Sequence, residues 1–231
     1  MISEDFLPLL RSWGLGNSNL DVIENWAPIA ELPALPRRNA WAVEHDLDGR
    51  AVFLYSGTLG FKHDPTLLLA LAHWAGRRDA LVVVVSEGPG ADWLAEREQD
   101  EPALRLLPYQ PYDRLPEVLA SADVLVAVLE PEAAAFSVPS KILSYLCVAR
   151  PLLASVPGDN LAARVVERSG GGVVVPPGDT AAFLSAAETL LDEPGRRVEL
   201  GGRARAYAET AFDIGAIADR FEAVLDEATG P

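Results

Sequence analysis

The chain has 231 residues, of which 49% are hydrophobic and 23% are charged. This composition is typical of a globular protein, and the length allows one large domain or one and a half. The 34 acidic residues outnumber the 19 basic ones, and the net charge of −15 repels nucleic acid and anionic membrane surfaces. We therefore expect neither as a partner, and a phosphate-bearing ligand would need a locally basic pocket.

The single cysteine and the N-terminal sequence both indicate a reducing, cytoplasmic setting. Cys147 lies in an apolar helical stretch, so it cannot form a disulfide within the chain and is expected to be a small core residue. Residues 1–5 are acidic and lack the basic and apolar regions of a signal peptide. The longest apolar runs, such as residues 81–85, have the length of a strand rather than of a membrane span.

Residues 1–50 differ in pattern from the rest of the chain. Apolar residues between Phe6 and Trp13 predict one short helix that ends at Gly14. Residues 21–26 are strand-like, and the proline-rich stretch that follows predicts an extended linker. This part therefore looks like the tail of a larger unit that is joined to the main domain.

From residue 51 onward, apolar runs alternate with helical patterns. The runs are rich in Val, Leu and Ala almost without interruption, which is typical of parallel strands buried on both faces. The predicted strands are 51–56, 81–86, 103–107, 123–129, 151–156 and 172–175. The predicted helices are 65–77, 90–99, 113–121, 139–149, 159–169, 179–192, 195–210 and 214–228, with Asp64, Asp159 and Asp179 as N-caps. The alternation predicts one doubly wound parallel sheet of the Rossmann-like α/β class.

Two short motifs could together hold a diphosphate. In the first, a strand runs into the turn from Gly57 to Gly60 and then to Lys62; in the second, Ser140 and Lys141 open a helix after a later strand. A glycine-rich turn lets backbone N–H groups approach an anion, and a helix N-terminus offers unpaired N–H groups with partial positive charge. Each motif alone is better explained by a tight turn with a solvated lysine. Their occurrence in this order predicts that both face one ligand at the carboxyl edge of the sheet.

Other motifs point to no further chemistry, and we predict neither a metal nor a cofactor. Asp46 and Asp48 have the spacing of a metal-binding pair, but they precede the first main strand, so a solvated turn is expected. The histidines are not spaced as metal ligands, and no Gly-x-Gly-x-x-Gly or Gly-x-Ser-x-Gly motif is present. His63 is the exception, because it abuts Lys62 at the predicted phosphate turn; a role as a helix cap explains it about equally well.

Six segments in a fixed order carry a resemblance to a known family. They are Tyr-Ser-Gly-Thr-Leu-Gly-Phe-Lys-His at 55–63, Ser-Glu-Gly-Pro-Gly at 86–90, Leu-Ala-Ser-Ala-Asp-Val-Leu-Val at 119–126, Pro-Ser-Lys-Ile-Leu-Ser-Tyr-Leu at 139–146, Ala-Arg-Pro-Leu-Leu-Ala-Ser-Val at 149–156 and Gly-Gly-Val-Val-Val-Pro-Pro-Gly-Asp at 171–179. This order is similar to the donor-binding half of the group 1 (family four) glycosyltransferases, especially the branch that builds bacterial surface polysaccharides. The resemblance implies that residues 49–231 are the nucleotide-sugar-binding domain with its C-terminal crossover helix, and that residues 1–48 are the end of an acceptor domain and its hinge.

The resemblance also implies a reaction and a set of site residues. Enzymes of this GT-B type have two Rossmann-like domains, and they transfer a sugar from a UDP or GDP type donor without a metal and with retention of configuration. The catalytic residues stay unknown. The implied nucleotide-sugar-binding residues are Gly57, Thr58, Leu59, Lys62 and His63 at the first turn, Tyr109 and Gln110 near the nucleobase, and Ser140, Lys141 and Ser144 on the helix.

Three features depart from the family pattern. Thr58 replaces the usual arginine after the first glycine, which removes a cation that pairs with phosphate. Phe136 and Ser144 stand where the family has paired glutamates, and serine cannot replace the charged acceptance of ribose hydroxyls by the second one. Glu130 or Glu132 could replace the first glutamate. Most of the acceptor domain is expected to lie outside this chain.

Three interpretations therefore remain open. The chain is the donor domain of a glycosyltransferase, inactive alone if catalysis needs groups from both walls of the cleft. It is a subunit that completes its cleft with a separate acceptor-domain chain, or it is a degenerate binding or assembly module without transfer activity. The first interpretation predicts that Trp13, Trp26 and Trp41 are exposed where a missing domain would cover them, with homodimerisation as one outcome.

Overall fold

A parallel six-stranded sheet lies at the centre of the structure, a computed structural model that describes residues 1–16, 20–60, 63–131 and 140–229. Its strands are β1 (Ala51–Ser56), β2 (Ala80–Val85), β3 (Leu104–Leu107), β4 (Val124–Val128), β5 (Leu152–Ser155) and β6 (Gly172–Val175). Their spatial order is β3-β2-β1-β4-β5-β6, and all neighbours pair in parallel. The predicted fold class is confirmed, and each strand ends within about one residue of its predicted limits.

Helices cover both faces of the sheet. They are α1 (Leu7–Ser12), α2 (Ala40–Glu44), α3 (Pro65–Gly76), α4 (Pro89–Glu98), α5 (Leu115–Ala120), α6 (Ser140–Cys147), α7 (Leu161–Ser169), α8 (Thr180–Asp192), α9 (Pro194–Ala211) and α10 (Ile214–Thr229). Successive residues of a strand point to opposite faces, so Val52 and Leu54 pack in a core layer with α5, α6 and α7, whereas Phe53 and Tyr55 pack in a layer with α3 and α8. The sheet is therefore doubly wound, as predicted.

The helix starts follow local side-chain chemistry. Asp64 and Asp179 cap α3 and α8, because their carboxylates accept hydrogen bonds from the N–H groups of Thr66 and Ala182. The predicted cap of α7 is displaced by one residue, since Asn160 rather than Asp159 accepts the N–H of Ala162. None of the helices in the described ranges is both long and apolar enough to cross a bilayer.

The segment before β1 packs on the sheet rather than standing apart as an extended linker. It contains the short helix α2, and Leu32, Trp41 and Leu47 belong to the same core layer as β1 and α6. The prediction that Trp41 is exposed is wrong, because its ring is fully buried. Its indole Nε1 donates a hydrogen bond to Gln110 Oε1 at 3.0 Å, so burial leaves no polar atom unpaired.

The more N-terminal part of the chain behaves differently. Trp13 and Trp26 are 69% and 40% exposed, as predicted. Residues 21–26 are not part of a strand in the structure; the segment instead shares backbone hydrogen bonds with Met1, whose carbonyl accepts from Ile23 N–H at 2.8 Å. Trp26 instead makes an edge contact with Phe221 of α10, with 6.2 Å between the ring centroids.

The direction in which successive strands are added to the sheet reverses between β1 and β4. From β1 the chain builds outward to β2 and β3, and after the crossover to β4 it builds in the opposite direction to β5 and β6. A crevice forms at the carboxyl ends of the strands on either side of such a switch point, and open α/β sheets bind their ligands there. This part of the fold therefore positions the candidate site.

Candidate functional site

A cavity of about 480 Å³ opens at the carboxyl ends of β1 and β4. One side, which we call the polar wall, is formed by Gly57, Thr58, Ser140, Lys141 and Ser144. The other side, which we call the apolar wall, is formed by Tyr109, Gln110, Leu115, Val118 and Leu119. The two walls come from three different connections of the sheet, and they meet at its switch point.

Most of the site residues implied by the sequence line this cavity. The exceptions are Leu59, which is fully buried beneath the turn, and Lys62, which lies outside the described residues together with Phe136 and Glu132. Those that line the cavity are Gly57, Thr58, His63, Tyr109, Gln110, Ser140, Lys141 and Ser144. The turn after β1 and the start of α6 thus meet at one edge, as the order of the two motifs predicted.

The turn after β1 uses most of its backbone N–H groups internally. Gly57 N–H donates to Val85 O at 3.0 Å, and Leu59 N–H donates to Ser86 Oγ at 3.0 Å. Gly60 N–H donates to His63 Nδ1 at 3.2 Å. In the part of the chain that the structure describes, only Thr58 N–H in this turn has no partner. The turn is therefore held firmly against β2, and it offers an anion fewer amides than the Gly-x-x-Gly pattern suggested.

Lys141 reaches from α6 to the turn after β1. Its amine donates a hydrogen bond to the Tyr55 hydroxyl and lies 3.9 Å from the centroid of the Tyr55 ring. A Cβ atom on Gly57 would lie 3.2 Å from Lys141 Cε, and Gly57 has a φ of +132°, so both the backbone and the neighbour favour glycine here. Burial lowers the pKa of Lys141 to about 7.

Tyr145 anchors α6 to the end of β1, a contact that the sequence analysis did not foresee. Its hydroxyl donates to Ser56 O at 2.9 Å and accepts from Ser56 N–H at 2.8 Å. The ring is buried, and this burial raises the pKa of Tyr145. Its position four residues after Lys141 was the available signal, because residues at that spacing share one helix face.

The apolar wall is fixed by contacts with two distant segments. Both polar atoms of the Gln110 side chain already have hydrogen-bond partners within the protein. Oε1 accepts from Trp41 Nε1, and Nε2 donates to Pro108 O at 3.0 Å. The hydroxyls of Tyr109 and Thr58 share a hydrogen bond of 2.5 Å that joins the two walls. Ligand contacts in this wall must therefore come from the apolar side chains, the Tyr109 ring or the backbone.

Lysine is rare in this chain and is confined to the two motifs. Lys62 and Lys141 are the only lysines in the sequence, and the remaining members of its 19 basic residues are arginines. Arginine keeps its charge in nearly every environment, whereas the pKa of lysine shifts readily on burial. The candidate site thus has a type of cation that the rest of the protein does not use.

Cys147 and the turn that contains Asp48 do not line the cavity. The described ranges contain no group of three His, Cys, Asp or Glu side chains that could hold a metal ion. Cys147 is buried, its thiol donates to Leu143 O, and burial raises its pKa to about 11, so it is a core residue. Asp48 pairs with Arg38 at 2.8 Å in the turn before β1, at the amino end of that strand rather than at the carboxyl edge where the cavity opens.

Solved structures resemble this fold at low sequence identity. The crystal structure of Anabaena HepE in complex with UDP-glucose matches 95% of this chain and 61% of its own, with a TM-score of 0.77 and 17% identity. The C-terminal domain of a group 1 glycosyl transferase (LpcC) from Francisella tularensis matches 80% of this chain and 97% of its own, with a TM-score of 0.62 and 12% identity. Both likenesses concern the fold.

Sequence comparison identifies the family. A protein of Escherichia coli K12 named as a colanic acid biosynthesis glycosyl transferase, WcaI, is 25% identical over 206 residues, which are 87% of this chain and 50% of that protein. The chain spans about half the length of the curated relatives that it matches. The family model described as "Glycosyl transferases group 1" matches residues 50–193. Because this match covers the whole span from β1 to the end of α8, the chain belongs to the group 1 glycosyltransferases.

Proposed function

We propose that this chain is the donor-binding part of a glycosyltransferase that moves a sugar from a UDP or GDP type nucleotide-sugar to an acceptor in bacterial polysaccharide or glycan biosynthesis. The observation that carries the proposal is the cavity at the switch point, where the polar wall faces the apolar wall. Such a cavity suits a ligand that is anionic at one end and flat and apolar at the other. A nucleoside diphosphate has this character.

The polar wall is suited to the diphosphate. Lys141 supplies a cation, the N-terminus of α6 supplies partial positive charge, and Ser140 supplies a hydroxyl donor. Thr58 contributes its remaining backbone N–H. With this set of donors the leaving diphosphate is stabilised by protein groups, so we propose transfer without a metal ion and, by analogy with the family, with retention of configuration.

The apolar wall is suited to the nucleobase. Leu115, Val118 and Leu119 give an apolar surface, and Tyr109 adds an aromatic ring at the edge of the cavity. The Gln110 amide is already paired with Trp41 and Pro108. Hydrogen bonds that distinguish one nucleobase from another would therefore come from backbone groups of the loop after β3. We propose that Ser144, the member of the polar wall that lies four residues after Ser140, contacts the ribose.

The acceptor side of the reaction lies beyond this chain. The curated relatives are about twice as long, so we propose that an acceptor domain or a partner chain completes the cleft, with a homodimer as an alternative arrangement. The catalytic groups are expected to come from both walls of that cleft. We propose a cytoplasmic location, since nucleotide-sugar donors are made there.

A non-catalytic nucleotide-binding module is the second candidate, and two observations favour it. Ser144 lines the cavity where the family has an acidic residue, and Thr58, which replaces an arginine, is hydrogen-bonded to Tyr109. Both changes remove charge from the site. This candidate predicts nucleotide binding without transfer, even when the acceptor part is supplied.

Calorimetric titration of the chain with UDP, GDP, ADP and their sugars tests the proposal. We expect one uridine or guanosine diphosphate series to bind, and Lys141→Ala to weaken that binding. Arg203→Ala is a matched control, because Arg203 is an exposed cation that pairs with Glu199 on α9, away from the cavity. If none of these nucleotides binds, both nucleotide-binding candidates are wrong.

A further inference from the structure

Lys141 is part of a short chain of hydrogen bonds that ends in the turn after β1. Its amine donates to the Tyr55 hydroxyl, and that hydroxyl donates to Thr58 O at 2.8 Å. The Tyr55 ring lies beneath the amine, Gly57 packs against it on a second side, and the cavity opens on another. Tyr55 therefore fixes both the position of the amine and the path of the turn beside it.

The surroundings of the Lys141 amine favour its uncharged form. An ammonium group has three hydrogens to donate, and the Tyr55 hydroxyl is its one acceptor among the described residues. The face of the aromatic ring attracts a cation, but this attraction is opposed by the loss of hydration on burial. Burial accordingly lowers the pKa of Lys141 to about 7.

No opposite charge in the described ranges offsets that burial. Among the described residues, the titratable groups around the amine are Tyr55 on β1, His63 before α3, Tyr109 after β3 and Tyr145 on α6 itself. None of these is a carboxylate, and Lys141 forms no ion pair in this part of the chain. Among the residues that the structure describes, the amine therefore has no counter-ion, and an anion in the cavity beside it would supply one.

We propose that Lys141 is held by Tyr55 as an uncharged amine in the unliganded chain, and that it takes up one proton from solvent when a diphosphate enters the cavity. The inference rests on the proposed function for the identity of the ligand. Tyr55 is a positioning residue, and Lys141 is the group that meets the phosphate oxygens. The use of lysine here, in a chain whose other basic residues apart from Lys62 are arginines, follows from the need for an amine that can change its charge.

The direction of the pH dependence follows from linkage. Above pH 7 the free chain carries the uncharged amine, whereas the complex carries the ammonium, so binding takes up a proton. Affinity for a diphosphate diester should then fall by up to about tenfold for each pH unit above 7. Below pH 6 the amine is already charged, and the proton uptake should vanish.

The two lysines make a direct measurement possible. A chain with ¹³C-labelled lysine shows only two Cε signals, which Lys62→Arg assigns. We expect the Lys141 signal to titrate near pH 7 in the free chain. A midpoint above 9 would overturn the proposal, and this result is independent of whether any nucleotide binds.

The role of Tyr55 is tested with Tyr55→Phe, which keeps the ring but removes the hydroxyl. The amine then loses its hydrogen-bond partner and turns toward solvent, so its titration midpoint should rise toward the ordinary lysine value of about 10.4. Tyr112→Phe is the control, since it removes a hydroxyl that contacts Glu31 outside the cavity. An unchanged midpoint in Tyr55→Phe would show that Tyr55 does not position the amine.

The coupling to the ligand is tested with UDP-glucose and inorganic pyrophosphate. Calorimetry with UDP-glucose at pH 8 in buffers of different ionisation enthalpy should show uptake of close to one proton, and either probe should raise the Lys141 midpoint. Binding without proton uptake would overturn the coupling. If neither probe moves the midpoint, the coupling is also wrong. If UDP-glucose fails while pyrophosphate succeeds, the proposed donor is wrong but the coupling stands.

Discussion

The two walls of the cavity are held in place in different ways. The polar wall is stabilised from within, because Lys141, Tyr55 and Tyr145 join α6 directly to β1 and its turn. The apolar wall depends on Trp41, which belongs to the segment before the sheet and lies 69 residues from its partner Gln110. A substitution should therefore be able to change the charge of the polar wall without changing the packing of the apolar wall, and the reverse.

The largest effect is expected from Trp41→Ala. Removing a fully buried indole leaves a large cavity and takes the hydrogen-bond donor from Gln110 Oε1, so the free energy of unfolding should fall by about 3–5 kcal/mol. Urea denaturation measures this loss. Trp13→Ala is the matched control, because Trp13 is 69% exposed and its removal should change stability by less than about 0.5 kcal/mol. Equal losses in the two variants would show that the segment before β1 does not support the wall.

Lys141→Ala should weaken binding of the diphosphate end of the ligand without weakening binding of the nucleoside end. Loss of a charged hydrogen bond costs about 1.5–3 kcal/mol, so affinity for the nucleoside diphosphate that binds should fall by roughly ten- to a hundredfold. Affinity for the matching nucleoside should barely change, because the nucleoside has no phosphate to contact the polar wall. Calorimetry of both ligands provides the test, and an equal loss for the two would contradict the division into walls.

Ser144→Glu should strengthen binding. Ser140 and Ser144 lie four residues apart on α6, and both line the cavity. A carboxylate at the second position would accept hydrogen bonds from the ribose hydroxyls, and affinity should rise roughly tenfold. The corresponding 2′,3′-dideoxy nucleotide is the control, since it should gain nothing. If neither Ser144→Glu nor Lys141→Ala alters affinity, the cavity is not a nucleotide site.

The smallest effect is expected from Trp41→Phe. This substitution keeps an aromatic ring in the core but removes the hydrogen bond that orients Gln110. A loss of about 1 kcal/mol in the free energy of binding, from the lost hydrogen bond, should weaken nucleotide binding roughly fivefold. Pyrophosphate binding should be unchanged. Trp74→Phe makes the same volume change on the opposite face of the sheet, beside Phe53, and should leave both affinities unchanged.

The fold could be predicted almost entirely from the sequence because its signals are local. Continuous apolar runs identify buried parallel strands, and the aspartates before α3 and α8 mark helix starts through bonds to residues two or three positions away. The order of these elements then fixes the switch point, and with it the edge at which the Gly57 turn and the start of α6 meet.

The candidate site could be predicted only in part. Residue type and position placed Lys141 and Ser140 at the cavity, but the Gly-x-x-Gly pattern did not reveal that Ser86 and Val85 already accept the amides of the turn. The family resemblance implied Leu59 as a site residue, yet its side chain is fully buried in the core. A motif specifies the backbone path, whereas neighbouring strands decide which of its groups remain available.

The sequence by itself determined the doubly wound sheet, its boundaries and the location of the two lysines, because these follow from periodicity and composition along the chain. The tertiary structure alone decided the burial of Trp41, the pairing of the Gln110 amide and the anchoring of α6 by Tyr145. These features join residues 69 to 89 positions apart, and the pairing of side chains over such distances depends on packing that no local pattern specifies. The charge state of Lys141 belongs to the same class, since it depends on what surrounds the amine.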